Sequence, residues 1–178
     1  MSVPSETVAQ FEARMTARPV VPTSSPALTH HVGRSDLPWA ERADGTAIQL
    51  LHVDLNQGIW VINARLPTGY TATTHFHTGQ VYAVTLQGRW FYAETPDAMN
   101  SPGSYLFEPA GSVHTLCTPT DQDGPTIVWF AIYGANLNMD DVGTILSISD
   151  AHGNLEYYRG YCKARDLDHA AMIVVGEV

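Results

Sequence analysis

Between Ile48 and Tyr133 the chain is cut into short runs rich in Val, Ile, Thr and aromatic residues, each bounded by Gly, Pro, Asn or Asp. Turn-forming steps fall at Asn56-Gln57-Gly58, Pro67-Thr68-Gly69, Gln87-Gly88, Ser101-Pro102-Gly103 and from Asp121 to Pro125. The runs are short and lack a helical period, so they read as strands near 48–54, 58–65, 70–77, 80–87, 89–95, 104–108, 113–118 and 126–133. A series of short strands at this spacing predicts a β-sandwich or barrel. The apolar-polar alternation over Trp60-Val61-Ile62-Asn63-Ala64-Arg65 is clear only in part, and several other runs are apolar throughout, as expected of strands covered on both sides.

The flanks read differently. Residues 1–38 are expected to be an N-terminal arm: Ser5 to Ala17 suits a short helix with Glu6, Glu12 and Arg14 on polar faces, and Pro19, Pro22 and Pro26 break any regular element after it. Pro38-Trp39 leads into a barrel expected over 39–135. Residues 136–178 are expected to form a C-terminal extension packed on the barrel. Asp150 to Asn154 reads as a turn, and Asn154 to Ala164 as a short helix with Leu155, Tyr158 and Cys162 on one face.

Composition removes several functions. A chain of 178 residues with 44% hydrophobic and 15% charged residues is long enough for one folded core and is not a disordered one. Its formal net charge of −9 leaves no basic footprint for nucleic acid or for anionic membranes. The two cysteines, Cys117 and Cys162, form no CxxC pair, and no basic-then-apolar leader or membrane-length apolar stretch is visible, so the expectation is a reduced, cytoplasmic protein.

The chemistry concentrates in Thr73-Thr74-His75-Phe76-His77. Residues i and i+2 of a strand share a face, so His75 and His77 project together while Phe76 points away. A third imidazole, His114, follows Glu108-Pro109-Ala110-Gly111-Ser112-Val113. Core histidines with satisfied hydrogen bonds would explain the pair alone; they do not explain the residues around it. Gly69 lies six positions before His75, and Gly103, Pro109, Gly111 and His114 follow at fixed intervals after Gly88. These are the two signature blocks of the cupin superfamily, which the chain resembles over about residues 48–133.

That resemblance implies an all-β double-stranded β-helix, a jelly-roll barrel, with His75, His77 and His114 as metal ligands inside it. Neutral imidazoles suit Fe, Cu, Ni or Zn, and three of them on one side leave positions open for substrate or O2. One departure stands out. The superfamily's first block usually carries a Glu ligand with three or four residues between it and the second His; those positions here are Val81 and Tyr82, and Gln80 just before them is a weak substitute. A four-ligand Mn or Zn isomerase site is thereby disfavoured against a three-His site. Glu108 and Glu94 are the candidate carboxylates, as outer partners of a ligating imidazole, as general base, or as a fourth ligand. Trp60, Tyr92 and Tyr105 are candidate substrate-binding aromatics. His30, His31, His52, His152 and His169 are assigned no role, and Cys117 is read as core.

A narrower pattern adds to this. His75-Phe76-His77-Thr78-Gly79-Gln80-Val81-Tyr82, Leu86-Gln87-Gly88-Arg89-Trp90, Gly103 to Pro109, His114-Thr115-Leu116 and the upstream Pro38-Trp39 resemble the 2,4'-dihydroxyacetophenone dioxygenase group over about 37–135, and more distantly the acetylacetone-cleaving dioxygenases. The resemblance implies one Fe(II) per chain (Zn is possible as purified) and O2-dependent cleavage of the C–C bond beside a carbonyl. For 2,4'-dihydroxyacetophenone the products would be 4-hydroxybenzoate and formate. A small aromatic hydroxyketone and O2 are then the expected partners, and a homo-oligomer the expected assembly. The alternatives are a Zn- or Mn-dependent isomerase or hydrolase, and a non-catalytic ligand-sensing cupin.

Overall fold

The structure, a computed structural model, describes residues 7–16 and 29–177. The chain divides into two compact units, Met1–His30 and His31–Val178. In the first, helix α1 spans Val8–Thr16, inside the stretch expected to be helical, and Thr7 Oγ1 accepts the Gln10 N–H at its start. Pro19, Pro22 and Pro26 lie outside the described residues.

The second unit runs β1 (Ala40–Glu41), β2 (Ala47–Asp54), β3 (Ile59–Leu66), β4 (His75–His77), β5 (Val81–Gln87), β6 (Trp90–Tyr92), β7 (Thr95–Asn100), β8 (Tyr105–Glu108), β9 (Val113–His114), β10 (Leu116–Cys117), β11 (Thr126–Tyr133), β12 (Asn136–Met139), β13 (Ile145–Ser149), helix α2 (Ala151–Ala164) and β14 (Ile173–Val175). The larger sheet has the order β1-β2-β3-β11-β5-β8, with β14 alongside β2; a second has β13-β12-β4-β9, and a third β10-β6-β7. Every pairing is antiparallel except β14 with β2. This is the expected all-β architecture with a short C-terminal helix.

Alternation is complete where the sequence shows it only in part. Along β3, Trp60, Ile62, Ala64 and Leu66 are buried, and along β11 Thr126, Val128, Phe130 and Ile132 are buried, with every intervening residue half-exposed. A row of such side chains across β3, β11 and β5 makes one wall of the barrel. Strand β2 is covered on both faces because α2 lies over it, inserting Leu155, Tyr158 and Cys162 into the core. The helix starts at Ala151 rather than Asn154. Asp150 is extended and its side chain accepts the Gly153 N–H at 2.8 Å, so the expected turn is in fact an N-cap.

Three expected strands are shorter or split. Only His75–His77 of the 70–77 run is a strand, with an isolated bridge joining Thr71 to Cys117. The 113–118 run breaks at Thr115, whose N–H is taken by the Glu94 carboxylate at 3.0 Å instead of by a neighbouring strand. The 89–95 run turns back on itself to pair β6 with β7, and Pro96 is accommodated because β7 is an edge strand. The boundary expected at 135 is not where the sheets end: β12 pairs with β4, and β14 extends the larger sheet. Among the described residues no helix is long and apolar enough to cross a membrane.

Candidate metal centre

His75, His77 and His114 reach one point from two strands that pair directly. The β4–β9 register sets His75 opposite His114, and the two-residue period brings His77 to the same face. The turns on either side hold them there. Gly111, in the left-handed region at φ 90°, gives its N–H to the His77 carbonyl at 2.8 Å. Any side chain on Gly79 would collide with the Tyr133 carbonyl oxygen, so the chain can leave β4 tightly only through glycine there.

The three rings have centroids 4.8 to 5.0 Å apart, and their ligand atoms all lie within 4.8 Å of one another. His77 Nε2 and His114 Nε2 are 3.1 Å apart. His75 Nδ1 donates to the Thr73 carbonyl at 2.9 Å, which leaves its Nε2 free to act as a ligand. Burial, with the neighbouring His77 and His114, pushes the pKa of His75 down to about 4, so its ring is neutral at ordinary pH.

Glu108 joins this group. Its Oε2 lies 3.0 Å from His77 Nε2 and 3.3 Å from His114 Nε2. Burial alone would raise its pKa, but hydrogen bonds and charge from His114 and His77 outweigh that and hold the carboxyl well below the usual carboxylate range. The Tyr92 hydroxyl donates to the other oxygen, Oε1, and the Tyr92 ring stacks on His114 with centroids 3.9 Å apart. Burial and the Glu108 charge push the Tyr92 phenol above its ordinary pKa, so it remains a donor. The β5–β8 register explains the departure noted in the first signature block. Val81 stands directly opposite Glu108, so a carboxylate missing from β5 is supplied to the same face by β8.

The other candidates separate. Trp60 is buried along the cavity wall, its indole N–H donating to the Gly134 carbonyl at 3.1 Å. Tyr105 requires correction: it is 64% exposed, because the alternation that turns Leu106 and Glu108 inward along β8 turns Tyr105 and Phe107 out. Glu94 requires correction as well. It is exposed, its carboxylate capping the Thr115 N–H, and it does not line the cavity. Cys117 is half-exposed rather than core.

The centre opens into a cavity of about 380 Å³. One wall is apolar, with Trp60, Ile62, Phe130 and Ile132; the other carries Asn136, Asn138, Ser147 and Ser149. Sequence reasoning missed this polar wall. Its signal was present: Asn136-Leu137-Asn138 and Ser147-Ile148-Ser149 repeat the i, i+2 spacing of His75-Phe76-His77. A larger hollow of about 940 Å³ lies on the other face of β3, between Trp39, Arg65 and Leu86, and contains none of these groups.

The donor set fits a divalent cation. Two nitrogens each about 2.1 Å from a common ion and at right angles would be about 3.0 Å apart, close to the 3.1 Å between His77 Nε2 and His114 Nε2. Three imidazoles with a carboxylate edge suit Fe, Zn, Cu or Ni better than Mg or Ca.

Comparison with known proteins places this geometry in a family. The model of the ChrR cupin-like domain matches residues 29–135. A protein of unknown function with a cupin-like fold from Ralstonia eutropha is 33% identical over 85% of this chain and 98% of its own, with a TM-score of 0.75. An RmlC-like cupin from the same organism is 26% identical over 82% of this chain and 94% of its own, with a TM-score of 0.76. An acetylacetone dioxygenase from Acinetobacter johnsonii shares the fold at 17% identity, over 81% of this chain and 99% of its own, with a TM-score of 0.63. No curated protein matches. A family model covering more than half of the residues, and a relative one-third identical along nearly its whole length, agree with the barrel and its three histidines: the chain belongs to the ChrR cupin-like domain family of the cupins.

Proposed function

We propose that this protein is a non-haem Fe(II) dioxygenase that cleaves the C–C bond beside the carbonyl of an aromatic α-hydroxyketone, with 2,4'-dihydroxyacetophenone as the substrate and 4-hydroxybenzoate and formate as products. The observation that carries the reading is the convergence of His75, His77, His114 and Glu108 at the head of a cavity with one apolar and one polar wall. When bound, Fe(II) would supply Lewis acidity toward the two adjacent substrate oxygens and an electron source for O2.

The chain's own residues do the rest. His75, His77 and His114 would hold the ion as neutral donors and so leave its charge for the substrate oxygens. Glu108 is the proton acceptor: Oε2 faces the point where the rings converge, and the Tyr92 hydroxyl on Oε1 fixes the carboxylate plane. Trp60, Ile62 and Phe130 would take the aromatic ring and keep water from it, while the polar wall meets the substrate's hydroxyl groups.

The test is oxygen consumption by Fe(II)-loaded protein with a panel of hydroxyketones and diketones. Uptake of one O2 per 2,4'-dihydroxyacetophenone, with 4-hydroxybenzoate formed, is the expected result. Turnover of substrate without O2, or after zinc loading, would identify an isomerase or hydrolase instead. Tight binding without turnover would identify a ligand-sensing module.

A further inference from the structure

Three buried polar atoms without partners occupy one line across the four-stranded sheet: Ser112 Oγ, His77 Nδ1 and Asn136 Oδ1. Asn136 stands opposite His77 in the β12–β4 register. On the other side, Phe76 pairs with Val113, and the His77 N–H donates to the Ser112 carbonyl, so Ser112 is the neighbour of His77 there. The contrast with His75 is direct, since that ring's Nδ1 is satisfied by the Thr73 carbonyl. A ligating imidazole that offers Nε2 to a metal carries its proton on Nδ1, and that N–H requires an acceptor.

Backbone pairing decides between the two neighbours. Thr78 N–H donates to the Ala135 carbonyl at 2.9 Å, and Met139 N–H to the Thr74 carbonyl at 2.8 Å. Those bonds make Thr78–Ala135 and Thr74–Met139 the hydrogen-bonded pairs, so His77–Asn136 is a non-hydrogen-bonded pair. In such pairs the Cα atoms approach to about 4.5 Å and the side chains are closer than in hydrogen-bonded pairs, where the Cα separation is about 5.5 Å. Ser112 meets His77 through a backbone bond, on the wider side. The next pair along β12 has a different task, because the Asn138 amide already donates to Ser147 and Ser149. The Asn136 side chain has no such commitment.

We infer that Asn136 is a positioning residue, its Oδ1 accepting the Nδ1–H of His77 and so holding that ring in the tautomer and orientation that present Nε2 to the metal. The inference rests on the metal-centre reading and is independent of which substrate the enzyme takes.

Zinc is the probe for the test, since it needs no O2 and no turnover. Its dissociation constant would be measured by chelator competition in the wild type and in Asn136→Leu, Asn136→Asp and Ser112→Ala. Loss of the outer partner is expected to weaken zinc binding about 10- to 100-fold in Asn136→Leu. Asn136→Asp, which keeps an acceptor at the same place, should bind zinc as the wild type does or more tightly, and Ser112→Ala should stay within about threefold. Nitrogen-detected NMR supplies the second readout. His77 should show an exchange-protected Nδ1–H in the wild type and in Asn136→Asp, and an unprotected one in Asn136→Leu. The inference is overturned if Asn136→Leu keeps both affinity and protection, or if Ser112→Ala is the variant that loses them. In the zinc-loaded wild type, where Nε2 is taken by the ion, a His77 Nδ1–H that exchanges freely with solvent would overturn it without any variant, which covers the case where Asn136→Leu does not fold. Failure of the wild type to bind zinc, iron or any other divalent ion would instead remove the metal centre itself, and the role of Asn136 with it.

Discussion

The two larger sheets present opposite kinds of side chain to the cavity. From the seven-stranded sheet come Ile48, Trp60, Ile62, Ala64, Leu66, Phe130 and Ile132, all buried and all apolar, with Glu108 as its one charged contribution. From the four-stranded sheet come His75, His77, His114, Asn136, Asn138, Ser147 and Ser149. Its other face is correspondingly inverted: Val113, Phe76, Leu137 and Ile148 form one apolar row across all four strands, with Val113 at 49% and Ile148 at 59% exposure. One sheet packs the fold and the other carries the three histidines and the polar wall of the cavity.

The largest expected effect of breaking that division is at the chemical sheet. His77→Ala should abolish both metal retention and O2 consumption, because it removes a donor that Glu108 and His114 both face. Metal analysis of the purified variant checks this, and stoichiometric metal in it would refute the three-imidazole centre. Next is the charged residue lent by the packing sheet. Glu108→Gln keeps the shape and removes the base, so kcat should fall about 10²- to 10⁴-fold while the fold holds; retention of full turnover would take the proton-transfer role away from Glu108.

The packing sheet should respond in stability instead. Trp60→Ala is expected to cost about 3–5 kcal/mol by opening a cavity in a wall of close-packed side chains. Asn138→Ala, on the polar wall, should cost about 1 kcal/mol or less, since the hydrogen bonds it loses are partly solvated. Denaturant titration of both variants measures the contrast, and equal costs would show that the two walls do not divide the labour.

Titration sharpens the same comparison. The His75 ring is ordinarily half protonated at 6.5, but burial and its two neighbouring imidazoles bring that down to about 4 in the fold. Between those values the unfolded chain binds the proton and the folded chain does not. Stability of the chelator-treated protein is therefore full above about pH 6.5 and declines as pH falls toward about 4, by at most about 3 kcal/mol from this residue. Thermal melts across that window should show a shallower slope in His75→Gln. Identical slopes would mean that His75 is not held neutral.

How much of this was legible beforehand depends on which sheet one reads. Strands β2, β3, β5, β8 and β11 announce themselves through dense β-branched and aromatic runs between turn residues. His75, Phe76 and His77 are legible because the period of a strand fixes their faces without knowledge of the rest of the fold. Strands β12 and β13 were not, because hydrophobic patterning assumes apolar residues face inward, and here they face out. Register is the other hidden quantity. Nothing in the linear order shows that Glu108 will stand opposite Val81, or Asn136 opposite His77; those neighbours are fixed by strand pairing far apart in the chain.

The smallest expected effect tests the corrected assignments. Tyr105 and Glu94 resemble Tyr92 and Glu108 in residue type and in nearness along the chain, yet they face solvent: Tyr105 through the parity of β8, Glu94 through its bond to the Thr115 N–H. Tyr105→Ala removes an exposed ring and should change stability by no more than about 0.5 kcal/mol, with kcat and KM for the ketone unchanged. Glu94→Gln should leave turnover within about twofold, because the amide oxygen can still accept from Thr115, and should cost about 1 kcal/mol or less for the weaker bond. Steady-state kinetics of the two variants beside Glu108→Gln make the measurement. A loss of kcat in Glu94→Gln comparable to that in Glu108→Gln would mean that the chemistry reaches past the cavity wall to the loop after β6, and the division between a packing sheet and a chemical sheet would have to be redrawn around it.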